Sequence, residues 1–203
     1  MLYSRISEGD SGIILAMNLE TGEVKQVTHG SGDLFSGSCT PDGKVAVYSG
    51  LSEQGMHIAR ISLDGTTAGE LVKAPNIVDG PVVSPDGSLL AYTTLAGQGA
   101  ASKLKFVLHK LEPGPPVREL DAPAGAALLN WTPDGRALTY TRPVATARNL
   151  YLQPLSGSAE VQLTHFEEEP SNIVAYAWSR DGKIAMTRAR LNDTDVVMIT
   201  GFR

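Results

Sequence analysis

Cysteine is almost absent from this chain. Cys39 stands alone, which rules out an internal disulfide and a cysteine-based metal cluster. Long apolar runs are missing too: stretches such as GIILAM and DVVMIT fall far short of the roughly 20 residues a membrane-spanning helix needs. The opening MLYSRISEGDSG has neither an apolar h-region nor a small-residue cleavage site, so no signal peptide is read in it. Clustered cations are lacking: 17 Lys and Arg against 22 Asp and Glu give a formal charge of -5. Direct nucleic-acid binding, which depends on grouped cations that displace phosphate counterions, is therefore not expected. Nor is there a Gly-x-Ser-x-Gly elbow, a P-loop, a His-Glu-x-x-His pair or a kinase catalytic loop, so this chain is not expected to be an enzyme. What remains is an ordinary globular composition, 42 % hydrophobic and 19 % charged over 203 residues.

Within that composition one pattern recurs. CTPDGKVAVY (Cys39–Tyr48), VSPDGSLLAY (Val83–Tyr92), WTPDGRALTY (Trp131–Tyr140) and WSRDGKIAMT (Trp178–Thr187) align on Asp42, Asp86, Asp134 and Asp181, which are 44, 48 and 47 residues apart. A period of this size marks solenoids, propellers or arrays. Ser/Thr-Pro-Asp-Gly between two apolar runs predicts a tight turn joining antiparallel strands, because Pro presets φ and Gly accepts the positive φ that follows. Two further β-type runs follow each hairpin, as in NLYLQPL and VQLTHF, so each period holds four short strands, a to d. These runs are continuous more than alternating, which implies burial on both faces. The predicted fold is all-β, a β-propeller of four-stranded antiparallel blades.

The repeated Pro-Asp-Gly hairpin, with the c and d runs after it, resembles the TolB-type, WD-repeat-like β-propeller along essentially the whole chain. The ending, from NLYLQPLSG to MITGFR, is similar to the C-terminal propeller of bacterial serine/threonine kinase or winged-helix regulator fusions. The resemblance implies a non-catalytic binding or sensor module for a protein or small-molecule ligand, without a cofactor. It also implies an extracytoplasmic or periplasmic location, with the cytoplasm as the alternative. The rival function is an accessory propeller that gates substrate for a hydrolase domain outside this chain.

The expected layout is a single propeller domain or fragment over 1–203: a remnant at 1–30, blades at 31–74, 75–123 and 124–166, and a partial blade at 167–203. The first segments match b, c and d without an a; the last match a, b and c without a d. That mismatch predicts a partial propeller of about four to five blades, taken from a parent of six or seven, with self-association through its open edges.

Chemistry is sparse. Asp42, Asp86, Asp134 and Asp181 recur in register, so the expectation is structural: side chains that cap turns. Trp131, Trp178, Tyr48, Tyr92 and Tyr140 read as packing, and Cys39 as a buried thiol. Candidate ligand contacts lie in the loops. His29, Lys73, Asp121 and His165 begin the d-to-a loops, and Glu53, Arg148 and Asp193 lie in the b-to-c loops. Glu168 sits in the acidic stretch FEEEPSN with Glu167 and Glu169, which reads as a small anionic patch for a basic partner or a cation. His57 and His109 have no clustered acid or nucleophile, and no metal site is expected.

Overall fold

The computed structural model describes residues 2–5, 13–28, 33–53, 55–73, 76–97, 99–166, 171–190 and 193–199, with the backbone alone at 2–5, 33–36, 100, 171, 190, 193–197 and 199. The chain divides into two compact units, Met1–Asp121 and Ala122–Arg203.

Three sheets make up the first unit. The first joins β1 (Leu2–Arg5), β2 (Ile13–Met17) and β3 (Val24–Gln26); the second joins β4 (Asp33–Cys39), β5 (Val45–Ser52), β6 (Gly55–Ser62) and β7 (Ala68–Lys73). The third joins β8 (Ile77–Val83), β9 (Leu89–Ala96), β10 (Lys103–Lys110) and β11 (Arg118–Asp121), with a single 3-10 turn at Gly99–Ala101 before β10. All three are antiparallel meanders in sequence order, as short hairpin connections dictate.

Successive residues on a strand point to opposite faces, so the pair Ala46 and Val47, both 0 % exposed, shows that β5 is covered on both sides. Ala46 packs with Ile14, Val27 and Ile61, from the first two sheets. Val47 packs with Ile58, Leu71, Leu90, Tyr92 and Val107, from the second and third. The second sheet is thus the filling of a three-layer stack, and its continuous apolar runs follow from having no wet face. Each fully buried aliphatic side chain contributes about 1.5–3 kcal/mol, which is what drives sheets with two apolar faces together.

The second unit holds β12 (Ala127–Trp131), β13 (Ala137–Val144), β14 (Ala147–Pro154), β15 (Val161–Gln162), β16 (Ser171–Trp178), β17 (Ile184–Arg190) and β18 (Asp193–Ile199), all in one seven-stranded sheet. β15 is only two residues long and pairs with β14 at Tyr151 and Leu152. The other end of β14 makes the one parallel link among the described strands, Ala147 to Ser171 of β16. Leu150, Ile173, Ile184 and Met186 form the core here. Thr139 of β13 accepts from Tyr176 Oη at 2.9 Å and from Trp178 Nε1 at 3.1 Å, which satisfies both donors as they leave water. Trp131 is buried and Trp178 half-buried against that core.

Candidate functional site: the two ends of the sheets

The register separates two ends in each sheet. His57 pairs with Lys73 and Lys105 with Asp121, so the β5–β6 and β9–β10 connections lie at the same end of their sheets as the last residues of β7 and β11. The Asp-Gly turns occupy the opposite end.

At that turn end the aspartates are spent on architecture. Thr40 Oγ1 donates to Asp42 Oδ1 at 2.6 Å, and Lys44 N donates to the same oxygen at 3.1 Å. The Thr40 hydroxyl also accepts from Val45 N at 3.1 Å, while Gly43 N closes onto Thr40 O at 2.8 Å. Ser84, Asp86, Ser88 and Leu89 repeat this lattice, as do Thr132, Asp134, Arg136 and Ala137. A hydroxyl three residues before Gly, an acid between them and a donor N–H after it form one closed set, which is why those residue types recur at fixed spacing. The Ser/Thr hydroxyl holds Asp42, Asp86 and Asp134 below the usual carboxylate range, and the backbone N–H adds to it. For Asp181 the Lys183 ammonium comes first and Ser179 second.

A further copy of the turn went unread in the sequence because it joins c to d and lacks Pro. Ser62-Leu63-Asp64-Gly65 closes β6 onto β7, with Thr67 N donating to Ser62 Oγ at 2.9 Å and Thr66 N to Asp64 Oδ1 at 3.0 Å. The hydroxyl five positions before the donating N–H, rather than the Pro, is the signal that would have found it. Bonds from Ser62 and Thr66 lower Asp64 to about 2.

These turns set the acid limit of the fold. A carboxylate whose folded value is depressed contributes stability that is present above its unfolded value and lost as pH falls through the folded one. For Asp64 that window runs from the ordinary 3.8 down to about 2. Denaturant midpoints are therefore expected to hold steady down to about pH 4.5 and fall steadily below about pH 4, where acidic side chains begin to protonate. A midpoint unchanged across that range would contradict it.

The candidate ligand contacts are dispersed. Glu53 is exposed at the β5–β6 hairpin tip. Lys73 and Asp121 are the final residues of β7 and β11 rather than loop residues. Lys73 lies 3.9 Å from Glu70, and Asp121 is bonded to Lys105 Nζ at 2.6 Å, which lowers Asp121 and raises Lys105. Arg148 belongs to β14, and its guanidinium turns inward: Nη2 donates to Gly125 O at 2.5 Å and to Thr141 O at 3.3 Å, and Nε to Thr141 Oγ1 at 3.3 Å. Burial lowers its value. It clamps the approach to β12 against the β13–β14 hairpin. His165 is exposed just beyond β15. His29 and Glu168, with Glu167 and Glu169, lie outside the described residues, as does the side chain of Asp193, whose backbone pairs with Arg190 at the start of β18.

The threonines that precede His29 and His165 in the sequence share an unforeseen role. In both QVTH (residues 26–29) and QLTH (residues 162–165) the Thr hydroxyl accepts a strand N–H, Thr28 from Ile14 at 2.9 Å and Thr164 from Leu150 at 2.8 Å. The preceding Gln folds over to donate to the Thr carbonyl, at 2.8 Å from Gln26 and 2.7 Å from Gln162. A side chain replaces a ladder bond, so the outer strand ends there. In β15 the replacement goes further: buried Asn149 accepts from Thr164 Oγ1 at 3.0 Å and Phe166 N at 2.7 Å and donates to Phe166 O at 3.1 Å.

At the tip end each four-stranded sheet of the first unit carries one solvent-facing aliphatic side chain near the end of its second strand. They are Leu51 and Leu95, at 40 % and 38 % exposure, each nine residues after its turn aspartate, Asp42 or Asp86. At the turn end of the first two sheets lies a cleft of about 380 Å³, bounded by Met17, Lys25, Cys39, Gly43 and Leu63 among others. Cys39 is half-buried there, not enclosed as its register suggested, because the cleft opens beside it. No group of His, Cys, Asp and Glu suited to a metal ion, and no helix long and apolar enough to cross a membrane, occurs among the described residues.

Comparison with known proteins identifies the fold. No family model matches the chain. TolB from Acinetobacter baumannii superposes with a TM-score of 0.75 at 18 % identity, over 97 % of this chain and 49 % of TolB. The β-propeller domain of the trilobed protease from Pyrococcus furiosus, solved with an open velcro topology, gives 0.62 at 13 % identity over 99 % of this chain and 78 % of that domain. An uncharacterized protein of Agrobacterium fabrum is 26 % identical over 98 % of this chain and 70 % of its own length. The chain is an all-β, partial β-propeller, similar to TolB and to peptidase propeller domains, and spans about half the length of the solved TolB.

Proposed function

We infer that this chain is a non-catalytic binding module that holds a protein or small-molecule ligand at the hairpin-tip end of its blades. The observation that supports this most is the pair Leu51 and Leu95: an exposed aliphatic side chain kept at one structural position in the two four-stranded sheets of the first unit, while the opposite end spends its polar groups on turns. Charged neighbours, Glu53 at a tip and Lys73 and Asp121 at strand ends, would give such a contact its orientation. A sensor role beside a fused kinase or winged-helix domain, on the outer side of a membrane, extends this reading. The likeness to the trilobed protease's propeller supports a second reading, a gate for a hydrolase domain.

The test is Leu51→Ser and Leu95→Ser combined, with in-cell crosslinking as the readout. The native chain should yield discrete crosslinked partners. The double variant should lose them while its thermal midpoint stays within a few degrees, since surface substitutions cost little. Equal crosslinking by both chains, or hydrolysis of peptides or esters by the purified chain, would overturn the binding-module reading.

A further inference from the structure

We propose that Asp181-Gly182, between β16 and β17, is where this chain undergoes backbone modification to isoaspartate, while its other Asp-Gly pairs are shielded. The step needs only water. The Gly amide nitrogen loses its proton and bonds to the Asp Cγ, and a carboxyl oxygen leaves as water to form a five-membered succinimide. Water then opens that ring at either carbonyl, returning Asp or giving the β-linked isomer, which carries one extra backbone carbon. Two conditions favour the attack: a carboxyl free to rotate over the nitrogen, and a nitrogen free of competing bonds.

The other turns deny both. Backbone N–H groups pin the carboxylates, Lys44 on Asp42 at 3.1 Å and Thr66, Ser88 and Arg136 on Asp64, Asp86 and Asp134 at 3.0 Å. The Gly nitrogens are themselves engaged at 2.8 Å (Gly43, Gly65) or 2.9 Å (Gly87, Gly135). Asp79-Gly80 lies inside β8, between two register shifts but flanked by the ladder pairs Ile77 to Thr94 and Val82 to Ala91, and Gly80 N is engaged at 2.8 Å by Asp79 Oδ1 itself.

The Asp181 turn is built differently. It has Arg180 where three of the others have Pro, and it closes one residue sooner: Lys183 N bonds Ser179 Oγ at 2.9 Å, where the other three a-to-b turns use the residue five positions on. The N–H that elsewhere pins the acid is thereby diverted. In place of that N–H Asp181 has two side-chain donors, Ser179 Oγ at 2.5 Å and Lys183 Nζ at 2.6 Å, and the Lys183 and Asp181 side chains are 50 % and 59 % exposed. Ser179 Oγ is held by Lys183 N, but the half-exposed Lys183 side chain can swing with the carboxylate as a backbone N–H cannot. Gly182 N reaches Ser179 O at 3.1 Å, the longest such contact of the set.

The experiment incubates the whole folded chain at 37 °C and neutral pH for weeks. It quantifies isoaspartate in each Asp-Gly peptide by isoaspartyl methyltransferase labelling and mass spectrometry, dividing by the rate in a urea-unfolded control. The normalised rate at Asp181 should exceed that of every other pair by about fivefold, the factor one net hydrogen bond of about 1 kcal/mol supplies. Asp181→Glu, which disfavours the five-membered ring, should remove most of the label. Even rates across the pairs, a faster rate at any other, or no label above the shielded sites would each overturn the proposal.

Discussion

Replacing Asn149 with leucine is expected to cost about 3 kcal/mol of unfolding free energy, read from urea denaturation followed by circular dichroism. The side chain has 0 % exposure. Its amide serves three groups at once: the N–H and carbonyl of Phe166 and the hydroxyl of Thr164. Leucine has nearly the same volume and fills the space, so the loss isolates hydrogen bonding from cavity formation. Each buried polar group left unmet costs about 1–3 kcal/mol, and water reaching half-buried Phe166 relieves part of the total. The Thr164 hydroxyl that Leu150 N uses would also lose its orienting acceptor. Thr164→Val should act in the same direction and more weakly, since it removes the acceptor of a single N–H. A loss below about 1 kcal/mol for Asn149→Leu would mean that β15 is held by its two ladder pairs and not by this network.

Gly80→Ala should be nearly as damaging. Gly80 adopts φ +93, and a Cβ built there lies 3.0 Å from Ala91 O and 3.0 Å from Tyr92 Cα. Both obstacles are backbone of the central strand β9, which cannot step aside without disturbing buried Leu90 and Tyr92. The positive φ and the close approach together predict a loss of about 2–4 kcal/mol, as incompatible backbone substitutions typically give. Gly69→Ala is the matched control: nothing lies within 4 Å of its Cβ site and its φ is ordinary. It should stay within about 0.5 kcal/mol of the parent. Equal effects at the two positions would show that sheet propensity, not the close approach, governs both.

The architecture was legible because its signals are local. A hydroxyl, an acid and a glycine within four residues close a turn by themselves, so Asp42, Asp86 and Asp134 declared their hairpins, and the apolar runs after them declared strands without a wet face. What escaped depends on partners far along the chain. Arg148 looked like a loop cation, yet its guanidinium lies on Gly125 and Thr141, contacts that exist only once β12 to β14 have assembled. Cys39 shares its register with Val83 and Trp131, but its exposure is decided by a cleft between two sheets. The tyrosines divide in the same way. Packing was foreseeable for Tyr140, whereas its bond to Glu160, itself paired with Arg142 at 2.6 Å, joins residues twenty apart. Burial, with Glu160 second, pushes that phenol far above its ordinary range. The loop candidates stayed scattered because what each side chain meets, as with Lys105 beside Asp121 or Glu70 near Lys73, is set by neighbouring strands and not by its own hairpin.

The parallel bridge from Ala147 to Ser171, the one such pair among the described strands, joins β12–β15 to β16–β18. Its consequence concerns cooperativity. Where sheets only stack, each can open with little effect on its neighbour's ladder, so amide exchange is graded from one to the next. Across this bridge the backbone network is continuous from β12 to β18, so opening at Ser171 removes support from Ala147, the first residue of a strand buried at Leu150. Amide exchange in the second unit is therefore expected to follow one rate class across its seven strands, and separate classes for β12–β15 and β16–β18 would show that the bridge does not couple them.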